Sequence, residues 1–432
     1  MILLKNILLG SNKVDILIDG ATISKILPDK EFDSMLKDPG NAELAARFAS
    51  GVEMMDCSGK AAVPGFVNMH THAAMSLMRG IMEDVPLQTW LSNIWALEER
   101  IDADFVYWGT KVACLEMIKS GTTTFNDQYF YSAAAHQAAI EMGIRPVISY
   151  VVLDHGLKDE SERQKEQCLR MYEKSLEWKD GSKMGMAFHA IYSVSEEMMV
   201  WASDFAKERN LKLHIHLAET EKEDLDCKKA HGGLSPTEYL ESLGILGPHL
   251  IAAHSLWLSP HDIELLGKYG VNCVHNINSN AKLSSGYKFR YSELKEAGAN
   301  VCLGTDGAAS NNNLDMLETM KNAALFQKAW RSDPGAMPLG DLMDMATVNG
   351  AKALGINAGV IREGAWADIS IIDTETSYFL SPGAFLANLI YSAHSDCIDS
   401  VICGGKFVMK NRVVKNEKSI LHYAREVLKQ IQ

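Results

Sequence analysis

The chain lacks several features, and each absence removes a class of protein. No run of it approaches the roughly 20 consecutive apolar residues that a membrane-spanning helix needs. Its first residues, MILLKNILLGSNKVDILIDG, offer no basic segment before an apolar stretch and no small-residue cleavage site, so a cytoplasmic location is expected. None of its 8 cysteines form a C-x-x-C pair, which argues against thiolate zinc knuckles and redox motifs and points to reduced, packed thiols. Positive charge is scarce: 42 Lys and Arg against 55 Asp and Glu leave a net charge of −13. Phosphate backbones are bound by clustered cations, so this charge argues against nucleic acid as a partner, while it says nothing for or against the small-molecule substrate expected from the motifs below. No G-x-G-x-x-G follows a candidate strand, which removes the dinucleotide-binding version of a doubly wound sheet.

What is present reads as a globular enzyme. Hydrophobic residues make up 47% and charged residues 22% of the 432 positions, enough for one large α/β domain and a smaller companion. Both ends are β-rich: short apolar or alternating runs at 2–9, 15–18 and 21–26 are matched by runs at 367–373, 400–403 and 406–409, with a helix at 419–432. Residues 30–50 read as a loop with a helical turn. Neither end has enough strands to bury a face alone, so residues 1–62 and 358–432 are expected to form one composite small β-sandwich domain. Between them, strands at 62–68, 122–125, 146–152, 184–190, 212–217, 250–254, 271–275 and 301–304 alternate with helices at 104–120, 133–142, 163–179, 195–209, 235–243, 259–269 and 292–297. Eight such units predict a (β/α)8 TIM barrel over 63–357. A homo-oligomer is compatible with the sequence but not required by it.

The chemistry sits at the predicted strand ends. The first strand runs into His70-Thr71-His72, whose i, i+2 spacing lets two imidazoles share a face. A lone His-x-His carries little weight. Here the strand at 212–217 carries His214 and His216, the next ends in His254, the next in His275, and the last runs into Asp306. Five predicted strands thus finish in His or Asp, at the end of the barrel where active sites are built. Of the pair on one strand, His216 lies nearer the mouth. His70, His72, His216 and Asp306 therefore make a ligand set for one divalent metal ion, Zn2+ by preference and Fe2+ as the alternative. A second metal would call for a bridging lysine, and neither Phe125-Asn126-Asp127-Gln128 nor Ala187-Phe188-His189 offers one. A bound metal lowers the pKa of water toward ~7. Asp306 can take a proton while ligating, and Glu219, three residues past His216, can act as the acid, although it opens an acidic run to Asp226 that would ordinarily be a solvated face. His254 is either a further ligand or, preferably, a donor that orients the attacking hydroxide.

PGFVNMHTHAAMSLMRG, LHIHLAETEKE, AAHSLWL, HNINSNAKLSSG and LGTDGAASNNNLDM occur in an order that resembles the amidohydrolase superfamily, in the branch of methylthioadenosine/S-adenosylhomocysteine deaminases and triazine hydrolases. The resemblance spans nearly the whole chain. It implies the same metal ligands, Glu219 as proton shuttle to a ring nitrogen, His254 beside the hydroxide, Glu98 as the carboxylate that binds ribose hydroxyls, and His189 as a substrate contact. Two positions depart from the family. Phe188-His189-Ala190-Ile191-Tyr192-Ser193 replaces a G-P-H-x-P-Y-S pattern. Tyr150 stands where homocysteine-binding relatives place an arginine, with Arg163 a candidate substitute. A tyrosine cannot form a bidentate charge-assisted pair with a carboxylate, so the expected substrate is methylthioadenosine, adenosine or another aminated heterocycle. A triazine-type hydrolase of C–N or C–Cl bonds is the alternative, and a metal-free scaffold a third reading.

Overall fold

Side-chain alternation along the first strand sorts two faces of a sheet. In the computed structural model, which describes residues 1–28, 31–85, 87–178, 181–381 and 383–431, β1 (Ile2–Leu9) sends Ile2 and Leu4 into one core and Leu3 into another. A register shift between Leu4 and Ile7, with Asn6 at φ 61°, returns Ile7 to the first face. That core continues through Ile16 and Ile18 of β2 (Asn12–Asp19), Ile23 of β3 (Thr22–Pro28) and Met55 of β4 (Glu53–Asp56). The opposite face is covered where a loop was expected. Helices Phe32–Lys37 and Ala42–Ala49 fold over Leu3 and Leu17, with the Phe32 and Phe48 rings 5.1 Å apart. Their apolar positions have a partner only once the sheet exists, which is why the sequence alone reads as loop.

The expected first barrel strand at 62–68 is in fact two strands in two sheets. β5 (Lys60–Pro64) pairs with β1, whereas β6 (Phe66–Thr71) opens the barrel. The break falls at Gly65, where a Cβ would lie 2.3 Å from the Thr123 side chain. From β6 the sheet proceeds through β7 (Thr122–Tyr129), β8 (Arg145–Val152), β9 (Lys183–Phe188), β10 (Leu213–Leu217), β11 (Leu250–His254), β12 (Asn272–His275) and β13 (Asn300–Leu303), every neighbouring pair parallel. Backbone amides just past β13 close the ring: Asn68 Oδ1 of β6 accepts from the Thr305 amide at 3.0 Å, and the Asp306 amide donates to the His70 carbonyl at 2.9 Å. Val67, Met69, Val147, Ile251, Val274 and Cys302, from strands on opposite sides of the ring, meet in its interior and rest on Ala351 and Leu354 of helix Val348–Leu354. The barrel is therefore filled below and open only toward the carboxyl ends of its strands.

The intervening helices fall where the periodicity places them. Helix 163–179 is observed as Lys158–Ser175, and residue 179 lies outside the described residues, as does residue 432 at the end of the closing helix Glu417–Ile431. Two further helices, Met316–Arg331 and Leu339–Ala346, follow the last barrel strand and precede Val348–Leu354. β14 (Ile369–Asp373), β15 (Ile398–Cys403) and β16 (Lys406–Met409) then pair antiparallel onto β5, so both chain ends build one eight-stranded sheet. It folds over its own core, bringing Thr22 back to a bridge with Trp366. A buried Arg145–Asp368 ion pair, with the guanidinium 4.1 Å from the Trp366 ring, fastens barrel to sheet. All eight cysteines are buried and unpaired. No described helix is long and apolar enough to cross a membrane.

Candidate active site

Strict alternation would turn His70 away from Met69, out of the barrel. A register shift of β6 against β7 between Asn68 and Thr71 breaks that alternation, and the His70 ring stands inside, with its centroid 4.9 Å from those of His214 and His216 and 5.3 Å from that of His254. The exits of β10, β11 and β13 use left-handed backbone: Ala218 at φ 51°, His254 at 73° and Asp306 at 63°. Such conformations are costly for residues with a Cβ and are held only where surrounding contacts fix them. His254 and Asp306 themselves line the cavity, as do His216 and Glu219 on either side of Ala218.

The donors gathered there match a metal site. His72 Nε2 lies 3.2 Å from His216 Nε2 and 3.3 Å from Asp306 Oδ1, and His70 Nε2 lies 3.4 Å from the same oxygen. Donors set tetrahedrally about 2.0–2.1 Å from a zinc ion stand about 3.3–3.4 Å apart. Proton positions lead to the same reading. His72 Nδ1 donates to the Gln128 carbonyl at 2.6 Å and His216 Nδ1 to the His189 carbonyl at 2.8 Å, so in the neutral rings both facing Nε2 atoms carry lone pairs. His70 Nε2 is buried and has no hydrogen-bond partner. Burial lowers the pKa of His70 to about 4 and also that of His216, keeping both rings in the form that ligates. Burial works against an ionised Asp306, but the close approach of His70, His72 and His254 outweighs it and holds this carboxyl well below its ordinary value. Ser279 Oγ donates to Asp306 Oδ2 at 2.6 Å and leaves Oδ1 toward the histidines. These residues can hold one divalent ion. His214 sits deeper, with its Nε2 2.9 Å from His70 Nδ1, a supporting contact rather than a site position.

Beside this cluster are the groups for proton transfer. Burial, reinforced by the Asp306 charge, pushes Glu219 up to about 8, so at neutral pH it holds a proton it can give. His254 Nε2 is 3.8 Å from Glu219 Oε2, and Asn280 donates to His254 Nδ1 at 3.0 Å, leaving Nε2 protonated in the neutral ring. Burial lowers the His254 pKa as well. Across the cavity, burial raises Glu98 to about 7, against the pull of the Tyr129 hydroxyl and His72.

One cavity is lined by His72, His216, Asp306, Glu219, His254, His189 and Glu98. The structure thus brings together the expected ligands, proton carriers and two of the three expected substrate contacts. His70 is fully buried behind them, its Nε2 3.4 Å from Asp306 Oδ1. Tyr150 does not reach this cavity. It lines an adjoining one, its hydroxyl donating to Gln167 at 3.0 Å. Trp95 and Tyr129, which line both cavities, were given no role in the sequence reading. Trp95 lies one helical turn before Glu98, and that i, i+3 spacing was the available signal.

The amidohydrolase family profile matches residues 61–408. The chain is 43% identical over 422 residues to 5-methylthioadenosine/S-adenosylhomocysteine deaminase 1 of Archaeoglobus fulgidus, covering 96% of this chain and 99% of that protein. It is 41% identical over 425 residues to the 5′-deoxyadenosine deaminase of Methanoregula boonei, covering 97% and 92%. Among solved structures, an adenosine deaminase from Xanthomonas campestris with bound zinc superposes with a TM-score of 0.89 at 28% identity, covering 100% of this chain and 98% of that one.

Proposed function

The chain belongs to the amidohydrolase family and is a hydrolase of non-peptide carbon–nitrogen bonds, and from that premise we propose that it deaminates 5′-deoxyadenosine or methylthioadenosine through His70, His72, His216, Asp306, Glu219 and His254. The observation that carries this reading is the convergence of His70, His72, His216 and Asp306 beside a half-buried Glu219 whose surroundings favour its protonated form, with the Glu98 carboxyl on the wall of the same cavity. The donor set suits one zinc ion held by His70, His72, His216 and Asp306. A zinc ion bound there supplies a water acidic enough to be used near neutral pH. Asp306 accepts that water's proton and passes it to the departing amine. Glu219 delivers its proton to the ring nitrogen beside the attacked carbon. His254, its Nε2 proton fixed by Asn280, orients the attacking oxygen and stabilises charge on it. Glu98 accepts from ribose hydroxyls, and His189 lines the purine cavity. A triazine would leave Glu98 with no hydroxyl to accept from, and a metal-free scaffold has no use for the converged donors.

The adjoining cavity selects the 5′ substituent. Its one arginine, Arg163, is engaged by Glu160 at 2.6 and 2.7 Å, Gln164 is bound to the Leu153 backbone, and Tyr150 offers a neutral phenol. That wall favours an uncharged group, hydrogen or methylthio, over the amino acid of a homocysteine substituent. The test is ammonia release by zinc-loaded protein from 5′-deoxyadenosine, methylthioadenosine, adenosine and S-adenosylhomocysteine. The first two are expected to have the highest kcat/KM. Release from none of the four overturns the deaminase reading, and a preference for S-adenosylhomocysteine overturns the assignment of the second cavity.

A further inference from the structure

Glu223 lies in an acidic run that reads as solvated, yet it is 5% exposed. Its helix, Glu221–Ala230, begins with a T-x-x-E signature, and Thr220 caps it by accepting from the Glu223 amide at 3.1 Å. In an ordinary capping box the acidic residue of that signature returns to the cap residue's own amide. Two helices of this chain do so: Glu238 accepts from the Ser235 amide and Asp262 from the Ser259 amide, both at 2.7 Å. Glu223 reaches further back instead. Its Oε1 accepts from the Ala218 amide at 2.9 Å and its Oε2 from the Glu219 amide at 2.8 Å. Ala218 holds the left-handed conformation, and its carbonyl accepts from the Leu256 and Trp257 amides at 3.1 and 2.9 Å. The three-residue step from His216 to Glu219 is therefore clamped from both sides, by Glu223 on the Ala218 and Glu219 amides and by the segment after β11 on the Ala218 carbonyl.

We propose that Glu223 is a positioning residue for catalysis: its two carboxylate oxygens hold the Ala218–Glu219 backbone in the left-handed turn that aims the Glu219 side chain at the substrate ring. This rests on the reading of Glu219 as the proton carrier. The helix keeps its Thr220 cap whatever stands at 223, so the clamp can be removed without removing the helix start. Glu223→Gln keeps size and one acceptor but sets an N–H donor against a backbone N–H donor.

The experiment is a double-mutant cycle with Glu223→Gln, Glu219→Gln and the double variant, each zinc-loaded and assayed on 5′-deoxyadenosine, with zinc content and Tm measured alongside. Glu223→Gln is expected to lower kcat about tenfold to a hundredfold, as misplacement of a catalytic group by about 1 Å does, with KM and zinc content unchanged. In the Glu219→Gln background the same change should cost less than about twofold, because Glu223 acts only through Glu219. A purely structural role would lower Tm and leave kcat per zinc-loaded molecule intact. Should Glu223→Gln not stay folded, Glu223→Asp, which keeps the charge and shortens the reach, carries the same expectation. Normal kcat for Glu223→Gln beside a slow Glu219→Gln overturns the inference alone, as does an equal loss in both backgrounds. Normal kcat for Glu219→Gln overturns the reading of Glu219, and this inference with it.

Discussion

His72 and His216 face each other through Nε2 atoms 3.2 Å apart, and each turns its Nδ1 to a backbone carbonyl, an arrangement that in the neutral rings puts a lone pair on both Nε2 atoms. Two lone pairs at that distance repel, and a cation between them turns the repulsion into a ligand field. Metal removal should therefore destabilise the fold as well as stop turnover. A ligand at about 100 times its Kd adds about 2.7 kcal/mol, so chelation is expected to lower Tm by several degrees and restored zinc to recover it. His216→Ala should lose both metal and the chelator effect. A melt indifferent to chelator and zinc would contradict the site.

Glu219 holds its proton in the fold up to about 8 but loses it near 4.5 when unfolded. Between those values the folded state binds the extra proton, so this group makes stability fall as pH rises through the window. Glu219→Gln removes that contribution, and the metal-free variant should show a shallower decline of Tm from pH 4.5 to 8. Its kcat in the zinc form should drop at least ~10²-fold. Parallel Tm profiles, or near-normal turnover, would count against the assigned role.

Glu98 shares a cavity wall with Tyr129 and Trp95. Hydrogen bonds to a charged acceptor contribute roughly 1.5–3 kcal/mol, so Glu98→Gln should raise KM for adenosine about tenfold or more with a smaller effect on kcat. A 2′,3′-dideoxy substrate should suffer the same loss with the parent enzyme and little further loss with the variant. An additive loss would show that Glu98 does not meet the ribose.

Asp368 accepts from Arg145 and, at 2.7 Å, from the Gly404 amide, and is 1% exposed. Asp368→Ala leaves a guanidinium buried without its carboxylate, which costs about 3–5 kcal/mol. Equilibrium unfolding should show that loss while the kinetic constants of the remaining folded enzyme stay unchanged. A loss under about 1 kcal/mol would mean that water reaches Arg145.

Much of this site is legible in one dimension because barrel chemistry gathers at strand ends. His70, His72, His216, His254 and Asp306 each stand where a run of apolar residues stops, and the parallel order of eight strands brings those stops together. What stayed hidden are distinctions that depend on two distant segments at once. The strand at 62–68 divides at Gly65 because Thr123 occupies the space of a Cβ. Helices Phe32–Lys37 and Ala42–Ala49 exist because the outer face of β1 and β2 needs covering. Glu223 looks like its charged neighbours until the Ala218 and Glu219 amides turn toward it.

Local spacing and composition alone settle the period of the elements, the net acidic charge and the residue types able to ligate a metal. The tertiary structure alone decided which histidine nitrogens face inward, how high burial lifts Glu219, and that Tyr150 belongs to a second cavity. Proton affinity, tautomer and reach are set by what surrounds a side chain in space, and those surroundings come from strands far apart in the chain.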